Sequence, residues 1–189
     1  MRFPFLTIDR GATGVPWQLS VVLGLGLAIR LTLAPHPGLV SDMYTNELWM
    51  RSAAELGMAH SYKEQLDGNL LPDHGPIEII AYTAAEHLYR QAMIPVTDMV
   101  QPAHRMFAKL PSILADLGIV VLLFFLLRRV RGARIGIWGA LIYALHPAVF
   151  HESAVWGQTD AIYTFFIVAM LWAALTNRQG LMGAAAALS

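Results

Sequence analysis

The sequence predicts an all-α, polytopic membrane protein. It predicts about four transmembrane helices, the start of a fifth, and two amphipathic helices in a long first external loop. Three observations lead there. First, 56% of the 189 residues are hydrophobic and only 14% are charged, against about 25% charged in soluble domains; mean hydropathy is +0.50. Second, several apolar runs approach the length needed to cross a bilayer. Third, four arginines (Arg128, Arg129, Arg131 and Arg134) crowd one short segment between two of those runs, the pattern of a cytoplasmic loop.

The elements follow in order. Met1 to Arg10 is interrupted by Pro4 and Asp9 and does not read as a cleaved signal, so the first apolar segment is expected to remain as an anchor. That segment, 17–35, opens on Pro16 and Trp17, suited to a first helical turn and to the interface. About 19 residues at 1.5 Å rise cover roughly the 30 Å hydrocarbon core. Arg30 lies one turn from its end; it either snorkels to the headgroups or faces a cavity and meets an anionic group.

Residues 39–104 are too polar to span. One amphipathic helix is expected from Asp42 to Gly57, with Leu48, Trp49, Ala53 and Leu56 at helical spacing and Gly57 as C-cap. Residues 58–76 read as loop. A second helix is expected from Ile77 to about Met93, with Pro76 at its first position and Ile79, Ile80, Ala84, Leu88 and Met93 as candidate apolar positions. Further spans are expected at 107–127, 135–150 and 158–175. Residues 181–189 are apolar and form the start of a fifth, within a single helical membrane domain over 1–189. Counting spans from the arginine loop places the N-terminus and 128–134 in the cytoplasm, and 39–104 and 146–157 outside, in a plasma (inner) membrane.

Composition excludes some chemistry. The net charge is zero, which gives nucleic acid no electrostatic footprint. There are no cysteines, hence no disulfides or thiolate ligands. His146 and His151 are separated by five positions with Pro147 between them, which does not put both rings on one helical face. No metal motif and no cofactor is expected.

Polar residues concentrate in two places. Ser41 and Asp42 begin the first amphipathic helix; Asp42 either caps that helix or serves as a general base on an acceptor hydroxyl. The stretch His146 to Asp160 carries His146, His151, Glu152, Trp156, Gln158 and Asp160 around Pro147 and Gly157. Trp156 and Gln158 either bind a sugar, by ring platform and hydrogen bond, or anchor the interface; Asp160 falls at a helix start. Asp116, inside a span, is costly facing lipid and is expected to pair with Arg, Lys or a hydroxyl within the bundle. His60, Asp73, His74, Glu78, Glu86 and His87 add polar groups outside.

Three segments together resemble a family. They are Ala28-Ile29-Arg30-Leu31 followed by Ser41-Asp42-Met43-Tyr44 and Trp49; Lys109-Leu-Pro-Ser-Ile-Leu-Ala-Asp116-Leu117; and His146-Pro147-Ala148 followed by Ser153-Ala-Val-Trp156-Gly157-Gln158-Thr159-Asp160-Ala161. In this order they resemble the N-terminal portion of GT-C-type polytopic membrane glycosyltransferases, especially bacterial mannosyltransferase-like members. The resemblance implies sugar transfer, with inversion, from a polyprenyl-phosphate-linked donor on the non-cytoplasmic face. By position it makes Asp42 the catalytic base, sets Arg30 and Lys109 (or Arg105) against the lipid phosphate, and places Trp156, Gln158 and Asp160 around the sugar. The chain departs from the family where His146 and His151 replace Asn and where Asp73-His74-Gly75-Pro76 replaces an aromatic-Pro-Pro stretch. Complete members also have more spans. The alternative is therefore a shortened, non-catalytic scaffold serving as a structural subunit of a larger respiratory or photosynthetic membrane complex.

Overall fold

The computed structural model describes residues 14–66, 70–92 and 101–189. Among them there is no strand. The helices are α1 (Trp17–Leu33), α2 (Val40–Leu56), α3 (Met58–Ser61), α4 (Pro76–Ala92), α5 (Pro102–Arg131), α6 (Ala133–Ala144), α7 (Pro147–Phe150), a π-helical turn (His151–Trp156), α8 (Asp160–Leu175) and α9 (Gln179–Leu188).

Proline and glycine punctuate the chain. Pro35 and Pro37 cannot continue α1. Pro76 and Pro102 occupy first-turn positions, where a missing N–H costs nothing. Pro111 sits within α5 without ending it. With 30 residues, α5 is the central element; it packs against α6, α8, α1, α4 and α2. One apolar cluster joins α1, α5 and α6 through Leu19, Val22, Val120, Phe124, Ala140 and Ala144. Another joins α2 and α4 to the start of α5, through Met43, Trp49, Met50, Ile79, Tyr82 and Ala108.

The all-helical class is as expected, but span number is narrower than the sequence suggests. By length and composition α5 alone, among the described residues, is long and apolar enough to cross a membrane. The expected span 135–150 is not one straight helix. Helix α6 stops at Ala144, and the chain resumes at Pro147 with a bend of 49°, so α6 and residues 147–156 meet the same test only as a broken pair. Pro147 has no N–H to continue the ladder, which is the reason for the break. Helices α1, α8 and α9 are apolar but shorter; in α1 and α8 the flanking residues counted into the apolar runs, 34–35 and 158–159, lie outside the helices. The expected loop at 146–157 is helical, ending in the π-turn. Apolar side chains face outward from α1 (Val21, Leu25), α6 (Ile135, Trp138, Ile142) and α8 (Ile167, Leu171, Leu175).

The second amphipathic helix presents a different face from the expected one. Ile79 is buried, but Ile80, Ala84 and Leu88 are exposed, and Met93 lies outside the described residues. The inner face is Glu78, Ile79, Tyr82, Ala85, Glu86 and Tyr89. Two buried acids occupy it because each meets a histidine. His104 lies between Glu47 Oε2 (2.8 Å) and Glu86 Oε2 (2.9 Å), fully buried. Arg90 adds Nε to Glu86 (2.7 Å) and Nη2 to Glu55 (2.8 Å). Paired and hydrogen-bonded, these charges are tolerated in the interior, and they tie α2, α4 and α5 together.

The two ends of the bundle differ. Arg128 Nη1 donates to Gly14 O (2.9 Å), joining the start of α1 to the end of α5. At the opposite end, the segment after α1, the start of α2 and the turn before α8 converge.

Candidate functional site

Asp42 stands in the first turn of α2. The N-cap is Leu39, with no side-chain cap, so Asp42 does not cap the helix. Its carboxylate is taken up by residues far along the chain. Trp156 Nε1 donates to Oδ2 at 2.9 Å and Gln158 Nε2 to the same oxygen at 2.7 Å, across 114 and 116 positions. Ser41 Oγ donates to Oδ1 at 3.1 Å. Asn46, one turn along α2, donates to Gly157 O at 3.0 Å. Three predicted site residues thus meet at one place. Asp160 follows as the first residue of α8, exposed, with Glu152 as a hydrogen-bond partner.

The local backbone brings them together. The π-turn ends on Gly157 in the left-handed region, φ +90°. That φ is strained for any residue with a Cβ, and a Cβ there would also press on Met43 Sδ (2.3 Å) and Lys109 Cε (3.2 Å), so glycine suits the turn against α2. Gly38, φ +66°, faces it: a Cβ would meet Val155 O at 2.6 Å and Trp156 O at 2.7 Å. Gly38→Ala is expected to force these backbones apart and to destabilise the chain by roughly 1–3 kcal/mol. Thermal unfolding measures it, and an unchanged midpoint would show that the contact is not tight.

Lys109 and Arg30 lie beneath this surface and are spent internally. Lys109 Nζ donates to Ala34 O (3.1 Å), His36 O (2.7 Å), Ala154 O (3.1 Å) and Val155 O (2.9 Å). These are carbonyls from the ends of α1 and the π-turn, where intrahelical donors run out and the helix dipole is negative. Arg30 meets Asp116 Oδ2 through Nε and Nη2, each at 3.2 Å, and donates through Nη1 to Gly26 O (3.1 Å) and Ala144 O (2.9 Å). Asp116 accepts also from Tyr143 OH (3.0 Å) and Ser153 Oγ (2.6 Å). Both cations are fully buried; neither snorkels, and neither is turned toward an opening in this conformation. Asp116 has internal partners, as a carboxylate buried in so apolar a helix requires. Arg105 is half-committed to Glu47, at 3.8 Å.

Beside Trp156 is a cavity of about 370 Å³ lined by His36, Gly38, Leu39, His151, Val155 and Trp156. Its volume is in the range of small-molecule sites, roughly 300–1,000 Å³. Among the described residues no three His, Asp or Glu side chains are grouped to hold a metal ion.

A second polar group adjoins the site. Glu78 Oε2 accepts from Tyr163 OH (2.6 Å) and pairs with His74 Nδ1 (2.5 Å), while Tyr163 OH accepts from Gly75 N–H (2.9 Å). Thr159 Oγ1 lies 3.3 Å from His74 Nδ1. Gln158 and Thr159, neighbours in the chain, therefore reach Asp42 and His74 respectively. The sequence marks His74 and Glu78, four apart at a helix start, but gives no sign of Tyr163 as the anchor of Glu78 or of Asn46 as the anchor of the Gly157 turn.

This group sets a pH dependence. For Glu78, burial raises the pKa, and hydrogen bonds from His74, Thr159 and Tyr163 outweigh it, holding the carboxyl below its ordinary 4.5. For His74, the Glu78 hydrogen bond raises the pKa, burial opposes, and the charges of Glu78, Asp73 and Asp160 add to the rise above 6.5. The depressed Glu78 contributes stability above its unfolded pKa, lost as pH falls through the folded value. The raised His74 contributes stability below its unfolded pKa, lost as pH rises through the folded value. The pair contributes most between 4.5 and 6.5. His74→Gln is expected to flatten the alkaline decline in thermal midpoint; an unaltered profile would remove the pair from the account.

Comparison with family models, with curated proteins and with solved structures returns no match.

Proposed function

We propose that this chain is a GT-C-like membrane glycosyltransferase, or the N-terminal part of one, transferring a sugar from a polyprenyl-phosphate donor on the non-cytoplasmic face. The observation that carries the reading is the meeting of Asp42 with Trp156 and Gln158 beside the cavity. A carboxylate, an indole and an amide at the mouth of an apolar cavity are the groups such a transfer uses: a base for the acceptor hydroxyl, a ring for a sugar face, and hydrogen bonds for its hydroxyls. The same reading makes the chain a multi-pass protein of the plasma (inner) membrane. It has 128–134 inside and the Asp42 end outside; outward apolar faces on α1, α6 and α8 support the bilayer as surroundings.

The experiment is transfer by the full chain in proteoliposomes, with a polyprenyl-phosphate hexose as donor. Sugar transfer with release of polyprenyl phosphate supports the reading. Its absence, with intact protein and accessible donor, overturns it. The internal commitment of Arg30 and Lys109 favours a second reading, a non-catalytic scaffold within a larger membrane complex. That reading expects loss of a partner complex, with glycans unchanged, when the chain is deleted.

A further inference from the structure

Three ionisable side chains of α5 are buried, and they are met in different ways. His104 lies between two glutamates, and Asp116 meets Arg30. Lys109 has carbonyl oxygens alone: those of Ala34, His36, Ala154 and Val155, at 2.7–3.1 Å. Four oxygens face an ammonium that has three N–H bonds to give. They therefore address its charge as much as its donors. These distances exceed the roughly 2.0–2.6 Å of Mg²⁺ and Ca²⁺ sites and suit a larger, monovalent cation. Backbone carbonyls grouped in this way are what replace the hydration shell of K⁺ in channel filters.

The four carbonyls stand at a join. Ala34 and His36 belong to the segment that leaves α1 and runs through Gly38 into α2 and Asp42. Ala154 and Val155 lead directly into Trp156, Gly157 and Gln158. The two segments also touch each other, with Gly38 against the carbonyls of Val155 and Trp156. The lysine stem runs past Gly157, where a Cβ would lie 3.2 Å from Lys109 Cε and 3.3 Å from Cγ. Lys109 is fully buried. Without a cation, four carbonyl dipoles would face one another in a place closed to water, where such repulsion is least screened.

We propose that these four carbonyls form a seat for one monovalent cation, filled by the chain's own tethered ammonium, and that the seated charge holds Trp156 and Gln158 on Asp42. Lys109 is then a positioning residue, acting on the carboxylate through the two segments it joins. That the positioned group serves sugar transfer rests on the reading above; the seat does not. Because the native seat is full, the native chain is expected to be indifferent to the monovalent cation in solution.

The test uses the full chain in nanodiscs of neutral lipid, carrying 5-fluorotryptophan, with the Trp156 fluorine resonance assigned by Trp156→Phe. Lys109→Ala removes the ammonium and opens its space. In tetramethylammonium chloride, whose cation is too large for the seat, this variant is expected to have a thermal midpoint lower by about 5–10 °C and a displaced Trp156 resonance. Ammonium or potassium chloride at the same ionic strength is expected to restore both, saturably. Lys109→Met removes the charge but keeps the space filled, so it is expected to show both losses and no recovery. If Lys109→Ala does not fold in tetramethylammonium, folded protein in ammonium supports the seat, and failure in both salts overturns it. Equal recovery of the Ala and Met variants, recovery of the midpoint without the resonance, or a Lys109→Met chain with native midpoint and resonance also overturns it. The two readings separate: a cation-restored resonance with no sugar transfer by the native chain sinks the transfer reading alone, whereas transfer by Lys109→Met at the native rate sinks the seat alone.

Discussion

Asp42→Asn is expected to lower sugar transfer by about 10²–10⁴-fold, the usual contribution of a positioned general base, while leaving the fold intact. The substitution is isosteric. The remaining amide oxygen still accepts from Trp156 and Gln158, which converge on one carboxylate oxygen, Oδ2. What disappears is the group that takes the acceptor's proton. The measurement is the transfer rate in proteoliposomes alongside the thermal midpoint. Full transfer by the variant would remove Asp42 as base, and a lowered midpoint with lost transfer would assign it a structural part instead.

The largest stability change is expected at Asp116→Ala. The side chain gathers Arg30, Tyr143 and Ser153 from three other parts of the chain, and it is 2% exposed. Removing it leaves the Arg30 guanidinium buried without its counter-ion, at a cost of about 3–5 kcal/mol. Arg30 keeps its bonds to Gly26 O and Ala144 O, but two neutral carbonyls do not replace a carboxylate. A second variant decides whether the loss comes from an orphaned charge or from lost packing. Arg30→Met with Asp116→Leu removes both charges and is expected to recover most of the stability, since apolar replacement of a buried pair is often neutral or better. Unfolding in detergent measures both; equal losses in the single and double variants would contradict the orphaned-charge account.

The polar clusters were legible in part because they are expensive where they stand. Asp42, Trp156 and Gln158 stand out in an apolar chain, and the structure places them in contact. Asp116, inside an expected span, demanded a partner, and the choice of Arg30 over another cation was not readable, since 86 positions separate them. The cations show the opposite case. Arg30 and Lys109 stand out for the same reason as Asp42, yet Arg30 is absorbed by a carboxylate and two carbonyls, and Lys109 by carbonyls alone. Helix α4 misled in a different way. Its apolar spacing suggested Ile80, Ala84 and Leu88 inside, but Glu78 and Glu86 take that side because His74 and His104 wait there.

That the long helix begins at Pro102 and not near 107 came from the structure. By itself the sequence determined the helical class, the breaks at Pro35, Pro76 and Gly157, and the separation of an arginine-rich segment from segments rich in His, Asp and Glu. These follow from local terms: hydrophobic composition, the missing N–H of proline, the backbone freedom of glycine. The tertiary structure alone decided which charges pair, which face of α4 turns inward, and that Trp156 joins the cavity to Asp42. Those depend on contacts between segments far apart in the chain, where the cost of burying a charge is offset only by the particular partner that packing brings within hydrogen-bond distance.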